Sequence, residues 1–234
     1  MFDELRQGVK QLEFLVDPTA GELRVGCNET LAAGFVSAVV EQLSRHYPRV
    51  AVHVVPANRE VLLARELPQR TIDLAVAPVS GLNLGQDMEV IPLFQDRFVV
   101  MAGTRQNRAG RKLTLADLID ERWVLPPLDS LPGLMIAEVF RAEGLEPLHA
   151  HVVSFSIPLH QRLLVSGGFI TMLPSSMLHF GKRLALKRLP VATAECAYSI
   201  GIVTLKNRTL APFANVFIDN AREIAKPLTK RGFQ

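Results

Sequence analysis

An α/β protein of two similar lobes is predicted by three features of this 234-residue chain. Short apolar runs alternate with segments of helical periodicity, the pattern of βα units around a parallel sheet. Several runs, among them VAVHVV at 50–55 and IDLAV at 72–76, are nearly continuous in Val, Ala, Ile and Leu, which suits strands covered on both faces. The alternation then restarts near residue 115, and a last strand and helix return late.

The elements follow in order. Residues 4–16 set Leu5, Val9, Leu12 and Val16 on one helical face, and Asp17-Pro18 ends it, because proline drives the preceding residue out of helical geometry. This isolated amphipathic segment reads as a docking or dimerisation helix. Strand 23–27 runs through Gly26-Cys27-Asn28-Glu29-Thr30 into a helix at 31–46, apolar at Leu31, Phe35, Val36, Val39, Val40 and Leu43. Strand 50–55, a helix at 59–67 and strand 72–76 complete a βαβαβ run. After a turn-rich segment at 78–87, strands at 89–93 and 97–102 flank Phe94-Gln95-Asp96. The second lobe reads as helix 115–121, strand 123–126, helix 133–142, strand 150–154, helix 157–165, strand 169–173, a short helix near 175–180 and strand 184–188. Strand 198–204 and a helix at 211–225 close the chain.

Composition narrows the function. With 48% hydrophobic and 21% charged residues, the chain is that of a folded domain with a real core. No run of 18 apolar residues exists, so no membrane span or membrane partner is expected. The charged N-terminus, MFDELRQGVKQLEF, lacks a signal-peptide core, which points to the cytoplasm. Twenty-six basic against 23 acidic residues leave a net charge of +3, too small and scattered for a nucleic-acid surface. The densest basic stretch, Arg105 to Lys112, has no aromatic residue for base stacking and reads as a solvated loop. Cys27 and Cys196 have no His or Cys partner at metal spacing, and no disulfide is expected. Cys196 is expected in the core. For Cys27, ligand lining and plain packing both stand open.

The ordered pieces GELRVG, RHYPRV, VAVHVV and IDLAVAP, then LTLADLIDERWVLPP (113–127), FRAEGLEP (140–147) and VSGGFITMLPSSM (165–177), resemble the effector-binding domain of LysR-type transcription regulators over about residues 4–226. The resemblance implies two Rossmann-like subdomains joined by two crossover strands, a periplasmic-binding-protein-like (type 2) fold. It implies subdomain I over 21–95 and 196–226, subdomain II over 96–195, a linker-helix remnant over 1–20 and a C-terminal tail over 227–234. No helix-turn-helix pattern is present, so DNA would be reached only through a missing N-terminal domain. The chain departs from the family at Phe169, which follows Gly167-Gly168 where a Gly-x-Gly pattern is usual; a bulky residue there is expected to alter the cleft floor or hinge.

Carried over residue by residue, the resemblance implies an effector site between the subdomains. Cys27, Asn28 and Thr30 match the first ligand loop, Thr30 at the position of a hydroxyl that caps a helix and donates to a carboxylate. Asn58 opens the second helix on the same sheet edge. Ser130, Leu131, Pro132 and Gly133 match the opposing loop, and Ser156 precedes the helix at 157–165. For Thr30, Asn58 and Ser156 a plain N-cap is the alternative. Glu29 would repel a bound carboxylate unless it points to solvent or meets an arginine. Arg59, Arg97 and Arg162 are the available counter-charges, although surface roles fit each. The six histidines form no readable catalytic or metal set.

The leading reading is a small-molecule sensor, a carboxylate being one ligand class, acting as a homodimer or tetramer. The apolar content of helix 31–46 and strand 50–55 motivates the dimer. A solute-binding protein of a transport system is the alternative on the same fold, though it would need a signal peptide. An enzyme would need a nucleophile–base pair, a metal set or a phosphate loop, and none is legible. No metal or cofactor is expected.

Overall fold

The computed structural model describes residues 15–81, 87–104, 113–180, 185–193, 196–206 and 209–230. In chain order the elements are strand β1 (Ala20–Cys27), helix α1 (Glu29–Leu31, a π-helical segment Ala32–Val36, then Ser37–His46) and strand β2 (Arg49–Pro56). Helix α2 (Arg59–Val61 continuing as a π segment, Leu62–Glu66) leads to β3 (Leu74–Pro78) and the long β4 (Met88–Gly103). A 3-10 turn at Ala116–Leu118 precedes β5 (Val124–Leu125), α3 (Leu131–Ala142), β6 (Val152–Val153) and α4 (Ile157–Val165). Then come β7 (Ile170–Pro174), α5 (Ser176–Phe180), β8 (Leu186–Arg188), β9 (Ala197–Leu205) and α6 (Pro212–Lys230). The chain forms two compact units. Unit 1 runs to Gln95 and resumes at Tyr198, and unit 2 is Asp96–Ala197.

In unit 1 the strand order is β2-β1-β3-β9, with the first half of β4 beside β9. β1 is parallel to β2 in unbroken register from Ala20↔Arg49 to Cys27↔Pro56, and parallel to β3 from Val25↔Leu74. The late-returning β9 is antiparallel to β3. Leu23, Val25, Phe35, Leu43, Leu74 and Phe217 are fully buried or nearly so, and each such side chain contributes about 1.5–3 kcal/mol. β2 departs from the expectation of strands covered on both faces. It is the sheet's edge, and of its eight residues only Val50 is buried. Its apolar run therefore marks an open face.

Unit 2 pairs the second half of β4 with β7 on one side and β8 on the other, both antiparallel. β5 and β6 form a parallel pair, and a parallel bridge Trp123↔Ile170 ties β5 to β7. Trp123 anchors this core, edge-on to Phe140 at 5.7 Å with its indole N–H donating to Leu118 O at 2.8 Å.

Three element boundaries differ from the sequence pattern. The two strands expected at 89–93 and 97–102 are one strand, since Phe94 and Asp96 are both buried. Phe94 packs against Phe35 at 5.0 Å, and the Asp96 carboxylate accepts from Ser175 Oγ, Ser176 Oγ and Ser176 N. The helix expected at 115–121 is only the 3-10 turn. Helix α6 runs through Pro227 to Lys230 instead of giving way to a tail. Pro227 and Glu223 are exposed, so the carbonyl the proline leaves unbonded meets solvent. Of the N-terminal helix, Leu5, Val9 and Leu12 lie outside the described residues; Leu15 and Val16 are helical and exposed before Asp17-Pro18. The basic stretch 105–112 also lies outside them.

Candidate functional site

Unit 1 presents a polar strand edge. Because Cys27 and Pro56 are in register and Ala57 N donates to Cys27 O at 3.0 Å, β1 and β2 end at one level. Helices α1 and α2 therefore start side by side, their N-terminal dipoles at the same edge. Both starts have an extended Asn cap: Asn28 Oδ1 accepts from Leu31 N at 2.9 Å, and Asn58 Oδ1 from Val61 N at 3.2 Å. The cap of α1 is thus Asn28 and not Thr30. Thr30 lies in the first turn, half-buried, and its hydroxyl donates to Asn28 Oδ1 at 2.8 Å. In that arrangement Thr30 Oγ offers a ligand its lone pairs, while its hydrogen is engaged by Asn28. Glu29 is exposed.

Cys27 belongs to the strand rather than the loop. It is fully buried, and burial pushes its thiol up to about 12. Cys196 is half-buried rather than in the core, and both thiols are free.

The same edge carries Arg59, named from sequence as a candidate counter-charge, together with Ser80, Gln95 and Ser199, which the sequence reading passed over. Arg59, read as a surface residue, keeps its side chain only 17% exposed, with Nη1 donating to Ser80 O at 3.4 Å and Nε 3.2 Å from Glu60. Ser80 Oγ accepts from Ser199 N at 2.7 Å, and Gln95 Nε2 donates to Ser199 Oγ at 2.6 Å. Ser80 sits just past β3 and Ser199 on β9; only the pairing of those strands, invisible in a linear pattern, makes them neighbours.

Unit 2 presents a different edge. β5 and β6 are in parallel register, so the loops leading to α3 and α4 leave from one end. Ser130 caps α3: its Oγ accepts from Gly133 N at 3.2 Å and donates to Pro127 O at 2.5 Å. Gly133 is fixed by packing, since a Cβ there would lie 2.0 Å from Pro127 O. Its N–H is engaged by Ser130. Leu131 and Pro132 are half-buried in the first turn. Ser156 holds the cap position of α4, yet its hydroxyl makes no capping bond. Around these loops Leu128, Leu134, Phe155 and Leu159 are exposed, Leu134 and Phe155 at nearly one half. None was singled out from sequence, because single apolar residues beside helix starts carry no periodic signal.

The structure thus brings Asn28, Thr30 and Asn58 together in unit 1, and Ser130–Gly133 and Ser156 together in unit 2. Phe169 lies elsewhere: the parallel bridge Trp123↔Ile170 puts it at the start of β7, the end of unit 2 opposite Ser130 and Ser156. There it lies under the Arg122 guanidinium, 6.0 Å from ring centroid to Cζ. Arg97 is half-buried close to Arg188, whose own charge is disfavoured by burial and by Arg97. Arg162 is exposed. Among the described residues no three His, Cys, Asp or Glu side chains are grouped to hold a metal, and no helix is long and apolar enough to cross a membrane.

Two α/β units, with β4 continuing from the first into the second and each with helix starts gathered at one strand edge, have a periplasmic-binding-protein-like fold of type 2. The family model described as "LysR substrate binding domain" matches residues 17–226, and the chain belongs to that family. It is similar to the HTH-type transcriptional regulator GbpR of Azospirillum brasilense, 25% identical over 98% of this chain and 68% of the relative. Its fold matches the regulatory domain of Synechocystis PCC6803 CcmR in complex with 2-PG (TM-score 0.69, 18% identity, 89% of this chain and 99% of that one). It also matches the effector-binding domain of QuiR in complex with shikimate (TM-score 0.66, 20% identity, 90% and 99%). The relatives are transcriptional regulators, which favours the regulatory reading over solute uptake.

Proposed function

We propose that this chain is the sensor of a LysR-type regulator and binds one small organic molecule through a polar head. The carrying observation is the pair of Asn-capped helix starts aligned by the β1–β2 register. Their dipoles, with the largely covered Arg59 beside them, favour an anionic head such as a carboxylate. Binding acts on transcription through a coupling of about 1–3 kcal/mol to the DNA-binding part of the regulator; the chain itself performs no catalysis.

The open edge of β2, with Val54 and the α2 residue Val61 each 38% exposed, is the face by which two copies pair. Sedimentation as a monomer at micromolar concentration would refute that pairing.

A thermal-shift panel of aromatic and aliphatic carboxylates, amino acids and sugars tests the site. The expected result is a shift with carboxylates, for which the Thr30 hydroxyl turns its hydrogen from Asn28 Oδ1 to the ligand, and which Thr30→Ala therefore abolishes without unfolding the domain. A ligand bound equally well by that variant excludes the Thr30 edge as the site.

A further inference from the structure

The polar row at the unit 1 edge calls for more than an anion. Of the five N–H groups of Arg59, Nε reaches Glu60 Oε1 and one on Nη1 reaches Ser80 O, so three remain without an acceptor among the described residues. Ser80 also begins a chain of contacts leading away from Arg59. Its Oγ accepts from Ser199 N at 2.7 Å, and Ser199 Oγ in turn accepts from Gln95 Nε2 at 2.6 Å. Both serine hydroxyl hydrogens and the Gln95 side-chain oxygen are left over, again among the described residues. Ser80 follows β3, Ser199 lies on β9 and Gln95 on β4, which are neighbours in the sheet. At about 4.8 Å between adjacent strands, the row extends about 10 Å.

The mixture of donors and acceptors along this row separates ligand classes. A carboxylate only accepts: it suits Arg59 and the helix starts, but beside the Gln95 oxygen it sets acceptor against acceptor. An ammonium group only donates, and would leave the serine hydrogens unanswered close to the Arg59 charge. A hydrocarbon body satisfies none of the row, and it takes the half-buried Ser199 hydroxyl out of water with its hydrogen unpaired. A ligand hydroxyl does both tasks, accepting from a serine and donating to the Gln95 oxygen.

We infer, on the reading of this edge as the ligand site, that the ligand is a hydroxylated carboxylate. Its carboxylate lies at Arg59 and the two helix starts, and its hydroxyls lie along Ser80, Ser199 and Gln95. Arg59 and Ser80 join the two halves of the site, because one guanidinium N–H already rests on the Ser80 carbonyl.

Isothermal titration of the whole chain with acids matched in carbon skeleton tests this: glycerate against propanoate, gluconate against hexanoate, and gallate against benzoate. In at least one pair the hydroxylated acid should bind about tenfold tighter or more, the worth of one or two neutral hydrogen bonds. Ser199→Ala keeps the backbone N–H that donates to Ser80, and should shrink that ratio about threefold or more. Thr30→Ala, which acts on the carboxylate, should weaken both members of the pair and leave their ratio as it was. Plain acids bound as tightly as their hydroxylated partners in every pair, or a ratio that survives in Ser199→Ala, would overturn the inference; plain-acid binding that Thr30→Ala weakens would still leave the edge as the site. Binding of none of these acids would instead overturn the edge as a carboxylate site, and the hydroxylated class with it.

Discussion

The helix-bearing edges of the two units pose one structural problem and answer it differently. Each starts two helices beside a pair of parallel strands, leaving backbone N–H groups that need acceptors. Unit 1 answers with two Asn side chains at matching positions and surrounds them with Thr30, Arg59, Ser80, Gln95 and Ser199. Unit 2 caps α3 with Ser130 over a glycine pressed on Pro127, and leaves the Ser156 hydroxyl out of the capping of α4. It then surrounds both starts with exposed leucines and a phenylalanine. Capping thus consumes polar side chains in unit 1 but leaves one unused in unit 2.

The largest effect that would break this contrast is at Gly133. Gly133→Ala places a methyl 2.0 Å from a backbone oxygen, which cannot move without shifting the loop that carries Ser130. Destabilisation of about 3–5 kcal/mol is expected in urea unfolding. Amide exchange should rise in unit 2 first; a loss below about 1 kcal/mol would mean the loop is not packed as described.

How much of this was legible depended on whether the determinant was local. The βα alternation, the helix at 157–165 and the Asn28 and Ser130 loops follow from periodicity and capping chemistry, which neighbours in sequence decide. The edge position of β2 was not legible, because VAVHVV is as apolar as a central strand and only sheet order leaves it uncovered. Nor was the unity of β4, since Gln95 and Asp96 look like a turn until Ser175 and Ser176, about eighty residues away, satisfy the buried carboxylate. The cap was assigned to Thr30 because a hydroxyl was sought. The strand ending at Cys27 places Asn28 first.

The next effect compares the caps themselves. Asn28→Ala and Asn58→Ala each remove an acceptor from a helix start and should cost about 1 kcal/mol. Ser156→Ala removes no capping bond and should change stability by less than about 0.5 kcal/mol. Its consequence should instead appear in ligand affinity. Denaturant midpoints of the three variants decide the matter: equal losses would show that Ser156 caps α4 after all, and the two edges would differ less than described.

The smallest expected effect concerns where the unit 1 edge stops. With its thiol pushed up to about 12 by burial, Cys27 is almost wholly protonated at neutral pH. At about pH 8 its thiolate fraction is on the order of one in ten thousand. Raising the pH from about 7 to about 9 should still leave it unlabelled by iodoacetamide in the folded chain, while the half-buried Cys196 reacts. Mass spectrometry of the alkylated peptides reads this directly. Should Cys27 label at a rate comparable to Cys196, and a carboxylate ligand slow that labelling, the polar edge would extend behind Asn28 into the strand. The sulfur would then belong to the ligand's surroundings, and unit 1 would meet its ligand partly through an apolar atom.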